Sequence, residues 1–131
     1  MPGSYDIRAP ERLIYLQFTG DISVRDCLDV MGRVRADPRY DVSFDALIDN
    51  RGLSRPFTRA ELEQVIPAVV QALGSTTAHP RIAILVGRDV HYGVSRMFQM
   101  LIGGILDLDL RVFREPDEAA LWLAQRPPPR E

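Results

Sequence analysis

The sequence contains no lysine: all 16 of its basic residues are arginine. A lysine Schiff base and a phosphate-loop lysine are therefore excluded. Cysteine is nearly absent as well. With Cys27 alone, neither an internal disulfide nor an all-cysteine zinc site can form, and a reducing compartment is the simpler setting. Long apolar runs are missing too, because Pro67, Arg88, Asp89 and Arg96 interrupt the most hydrophobic stretches before the roughly 18 to 20 residues needed to span a bilayer. Met1 to Arg12 carries Asp6, Arg8, Glu11 and Arg12 and lacks the apolar core of a secretion signal, so a cytoplasmic protein is expected. A formal charge of −2 gives no electrostatic basis for strong binding to a polyanion, and no nucleic-acid partner is expected.

What is present suits one packed globule: 131 residues, 46% hydrophobic and 26% charged, enough for one core and too little for two. The expected domain covers residues 1–125, and Arg126-Pro127-Pro128-Pro129 predicts a disordered proline-rich tail over 126–131.

Tyr5 to Arg8 and Leu13 to Phe18 read as short strands, with Gly20 closing the second. Ser23 is placed as an N-cap. Val24, Cys27, Leu28, Met31 and Val34 then recur at helical spacing until Asp37-Pro38. Phe44 to Asp49 predicts a third strand ending in a turn at Asn50-Arg51-Gly52. Thr58 and Glu61 form a capping-box pattern for a helix through Leu73 that stops at Gly74, with a bend expected at Pro67. Ile82 to Val86 is a buried strand closed by Gly87-Arg88-Asp89. A third helix carries Val94, Met97, Phe98, Leu101, Ile102 and Ile105, followed by a strand at Leu110 to Phe113 and a last helix from Pro116 through Leu123. The order β-β-α-β-α-β-α-β-α predicts an α/β fold: a single-domain mixed, mainly parallel sheet flanked by helices.

Four blocks carry a family resemblance: Phe18-x-Gly20; Leu47-Ile48-Asp49-x-Arg51-Gly52; Ile82-Ala83-Ile84-Leu85-Val86-Gly87; and Arg111-Val112-Phe113-Arg114-Glu115-x-x-Glu118-Ala119-x-x-Trp122-Leu123. With the element order, they make the chain similar to the SpoIIAA-like branch of the STAS superfamily, also described as STAS/SEC14-like. The resemblance implies a small non-enzymatic regulatory or ligand-binding module without a cofactor. In the anti-sigma-factor antagonists of that group a hydroxyl residue near the start of the helix after the third strand is phosphorylated. Here Asn50 and Arg51 stand in its place, and Ser54 and Thr58 are only displaced substitutes.

In such a sheet the loops at the carboxyl ends of the strands share one rim, where ligands usually sit. The expected rim presents Asp49, Arg51, Ser54 and Arg55, then Arg88, Asp89, His91 and Tyr92. Its arginines could hold a phosphate or carboxylate, or simply be solvated or paired with Asp49 and Asp89. Ser54, His91 and Asp49 could be written as a hydrolase triad, although no Gly-x-Ser-x-Gly elbow surrounds Ser54. His79, before Pro80, has no second histidine at metal-binding spacing and reads as a loop residue. Cys27 is expected to be buried and inert, and Trp122 to hold the last helix on the sheet. Met97, Met100, Gly103 and Gly104 widen the apolar surface of the third helix, which suits a homodimer contact, a protein partner, a groove for an apolar ligand as in a lipid carrier, or a wider core.

Overall fold

The computed structural model describes residues 3–74 and 80–125. Among them are five strands and four helices, with a short 3-10 turn at Ala9–Glu11. In chain order the elements are β1 (Gly3–Arg8), β2 (Leu13–Gly20), α1 (Val24–Ala36), β3 (Asp45–Leu53), α2 (Arg59–Leu73), β4 (Arg81–Leu85), α3 (Asp89–Gly103), β5 (Asp109–Phe113) and α4 (Pro116–Ala124). The expected α/β order is present. The expectations for His79 and for the tail at 126–131 fall outside the described residues.

Two helices start where side chains replace the backbone partners that a first turn lacks. Ser23 accepts from the Asp26 amide while Asp26 accepts from the Ser23 amide, and Thr58 and Glu61 make the same reciprocal pair on α2. Gly74 caps α2 as expected, and the helix continues through Pro67. Pro67 has no N–H to donate to the preceding turn, and its side chain faces outward.

The sheet runs β1-β2-β3-β4-β5, with β1 antiparallel to β2 and the remaining pairs parallel. Each parallel step advances the strand order in one direction. Right-handed crossovers therefore put all three connecting helices on one face. Alternate residues confirm that division: Ile14, Leu16, Phe18, Ile48, Ile82 and Ile84 meet α1, α2 and α3, whereas Leu13, Leu47, Ala83 and Phe113 meet α4 alone. Because β4 is covered on both faces, it reads as an unbroken apolar run.

Two boundaries differ from expectation. Asn50-Arg51-Gly52 is not a turn. β2 runs on to Gly20 and holds these residues in β3, with a bulge between the pairs Gln17↔Asp49 and Thr19↔Gly52. The glycine is needed there, because a Cβ at Gly52 would come within 2.8 Å of the Thr19 methyl group. Gly20 ends β2 with a φ of +67°, a conformation that side chains disfavour. The second correction concerns α3, which begins at Asp89, ahead of the expected apolar stripe. His91 and Tyr92 consequently belong to its first turn and not to a rim loop, and Ile105 lies beyond its end.

Candidate functional site: an unfilled core beside a saturated rim

The two segments expected to share a rim, the end of β3 and the turn after β4, are neighbours. Asp49 pairs with Leu85 across β3 and β4, and a Cβ at Gly87 would lie 3.8 Å from that of Arg51. The charges there are nevertheless largely spent on one another. The Asp49 carboxylate is only 2% exposed; it accepts from Tyr15 Oη at 2.8 Å and from Arg51 Nε and Nη2 at 3.0 and 2.9 Å. Burial alone would raise its pKa, but the bonds from Arg51 and Tyr15 outweigh that and hold it below the ordinary range. Arg55 bridges Asp21 and Glu61. Asp89 pairs with Arg114, whose guanidinium also stacks on Tyr92. Arg88 is exposed at the start of α3.

Ser54 lies exposed just past β3, with its backbone amide donating to Gly20 of β2. His91 is buried on α3, and its Nε2 has no hydrogen-bond partner. Asp49 is engaged by Tyr15 and Arg51, so no hydrogen bond links Ser54, His91 and Asp49 into a triad. Burial, followed by the nearby charge of Arg88, lowers the His91 pKa. Thr58 serves as the N-cap of α2, accepting from the Glu61 amide. No group of three or more histidine, cysteine or acidic side chains among the described residues could hold a metal ion. No helix there is long and apolar enough to cross a membrane.

The interior of the helical face differs from the rim. Between the sheet and the helices lies a cavity of about 200 Å³. Its floor is formed by β2, β3 and β4 through Leu16, Ile48 and Ile84; its roof is Val65 and Val69 of α2, with α1 and α3 closing the sides. Among the described residues, four polar side chains other than the Cys27 thiol reach its wall: Arg35 and Tyr40 toward the end of α1, and Asn50 and Ser95 toward the carboxyl ends of the strands. The Asn50 Oδ1 atom is buried without a partner. A buried amide oxygen without a hydrogen bond costs about 1–3 kcal/mol, so this one calls for an explanation. Cys27 also borders the cavity, where burial pushes its thiol up to about 11, leaving it a neutral apolar group.

Along α3, His91, Ser95 and Ile102 face inward. Met97 is half-buried, Met100 is 74% exposed, and Gly103 and Gly104 are exposed. The apolar flank expected from the sequence is thus open to solvent in the single chain.

Arg35, Tyr40, Asn50 and Ser95 line the cavity without having stood out in the sequence as site residues. A signal existed for Asn50: continuing the alternation of Ala46 and Ile48 by two residues puts it on the helical face. Ser95 interrupts an otherwise apolar stripe and could have been noticed as such. Comparison with family models, with curated proteins and with solved structures finds no match.

Proposed function

We propose that the protein is a non-catalytic, STAS-like regulatory module of the cytoplasm that takes an apolar small molecule into the cavity between its sheet and helices. The cavity itself carries this reading. Natural cores are close-packed, and an apolar void bordered by an orphaned polar atom, the Asn50 Oδ1, suits a ligand better than it suits a finished core. Asn50 and Ser95 are positioned to orient such a molecule, and a hydrogen bond from it would remove the cost of the buried Asn50 oxygen. The element order and the closing Arg111 to Leu123 block support the STAS-like part of the proposal. Native mass spectrometry of freshly purified protein tests it. One small-molecule adduct per chain, or uptake of added dodecanol at that ratio, is the expected result; a bare chain that also refuses dodecanol contradicts it.

A second reading, contact with a protein partner or a second copy through α3, is favoured by the exposure of Met100. Met100→Glu should then lower the oligomeric mass or abolish partner binding. A parent chain that is monomeric and partnerless under the same conditions removes this reading.

A further inference from the structure

Among the described residues around the cavity, only Arg35 carries a charged side chain. It stands in the last turn of α1 together with Arg33, and two arginines there offset the negative end of the helix dipole. The acidic groups nearby in the chain are already engaged. Asp37 accepts from Arg39 Nη2 at 3.0 Å and from Tyr5 Oη at 2.9 Å, and Asp41 accepts from the Ser43 amide and hydroxyl. Arg35, an exposed residue at the edge of the cavity, makes no ion pair or hydrogen bond among the described residues and keeps its guanidinium open to solvent. Tyr40, beside it in the wall, keeps its proton at neutral pH: burial raises its pKa, and the charge of Arg35 only partly offsets the rise. A guanidinium and a phenolic hydroxyl at the end of an apolar slot match a carboxylate.

The opposite end has different chemistry. At roughly 3.3 Å per residue, Phe44 and Asn50 at the two ends of the floor are about 20 Å apart along the strand. A volume of about 200 Å³ has room for one alkyl chain. The cavity's far end offers the unpartnered Asn50 oxygen, a group that accepts a hydrogen bond.

Building on the ligand-binding reading above, we propose that the occupant is a linear apolar carboxylate with a hydroxyl at its other end. Its head group rests on Arg35 and Tyr40, and its chain runs along β3 beneath α2 to donate from the hydroxyl to Asn50.

Calorimetric titration with ω-hydroxydodecanoate, dodecanoate and dodecanol tests the two ends separately, on the parent chain and on Arg35→Gln and Asn50→Leu. The parent should bind ω-hydroxydodecanoate most tightly. Arg35→Gln should weaken both carboxylates about tenfold, the value of one charge-assisted contact, and leave dodecanol unchanged, since its hydroxyl can sit at Asn50. Asn50→Leu should bring ω-hydroxydodecanoate down to the affinity of dodecanoate. The proposal is overturned if Arg35→Gln weakens all three alike, if the carboxylates bind no better than dodecanol, or if the ω-hydroxyl brings no gain in the parent. If none of the three binds at all, the ligand-binding reading falls with it; dodecanol binding alone overturns only the carboxylate.

Discussion

The two faces of the sheet differ in how they are finished. On the α4 face, Trp122 lies against Phe113, with ring centroids 5.6 Å apart, while Arg81 and Arg111 stack over its indole at 5.3 and 5.1 Å. Arg81 also donates to the backbone carbonyls of Trp122 and Gln125, tying down the end of α4. Farther along, Arg8 lies over Tyr15, and Tyr15 and Arg51 satisfy Asp49. On the helical face, by contrast, three helices border unfilled space, and Asn50 and His91 each have a buried polar atom without a partner. One sheet thus has a face that holds the fold and a face with unmet capacity. Charged residues near a sheet rim are weak evidence for a site when they neutralise one another, whereas an unpaired buried atom beside a void, as at Asn50, is stronger evidence.

Substitutions should expose that difference. The largest effect belongs to Trp122→Ala, at about 3–5 kcal/mol of stability by chemical denaturation, because it removes the side chain around which the α4 face is built. One step smaller is a matched pair. Ala83, with 0% exposure, sits under α4, and enlarging it to leucine should cost about 1–3 kcal/mol. Ala46→Leu grows into the cavity and should cost less than half as much as Ala83→Leu in the same assay. Equal costs would mean that the two faces are equally full.

The smallest effect is a pH dependence on the helical face. Burial, then the charge of Arg88, puts the folded-state pKa of His91 below its ordinary 6.5, so the unfolded chain takes up the proton first. Stability is therefore complete above pH 6.5, declines as the pH falls through that value, and levels off below the folded-state pKa. Glu61 acts lower down. The side-chain bonds from Arg55, together with the Thr58 amide, hold its carboxyl near 2, so its contribution is lost only as the pH falls from 4.5 toward that value. His91→Gln should flatten the denaturation midpoint between pH 7 and 5 while leaving the more acidic loss intact. An unchanged slope in that window would show that His91 is not held neutral by the fold.

Much of the frame was legible in the sequence because it rests on local chemistry. Ser23 and Thr58 mark helix starts through bonds made within one turn, and Ile14, Leu16 and Phe18 declare a buried strand face by alternation. The misread boundaries depend on distant partners. Asn50-Arg51-Gly52 has the composition of a turn, but pairing with Thr19 and Gly20 keeps it in the sheet. The start of α3 at Asp89 was obscured because His91 and Ser95, although polar, occupy its inward stripe. The segments that were expected to form the rim do lie side by side, with Asp49 and Arg51 in β3 and Gly87 after β4, yet their mutual pairing was invisible. Tyr15 and Arg114, which quench Asp49 and Asp89, come from other elements. A cavity has no signature in a hydrophobic pattern, because its walls read like any core, and Arg35 and Tyr40 look like ordinary residues at the end of a helix.

Whether the helical face has room for a guest is tested most directly by titrating an apolar fluorescent probe into the parent chain and Ala46→Leu, with dodecanol as competitor. The parent should bind one probe per chain and release it to dodecanol, while Ala46→Leu, folded and of similar stability, should bind neither. Equal probe binding by both proteins, unaffected by dodecanol, would place the probe on the outer surface and contradict an interior site.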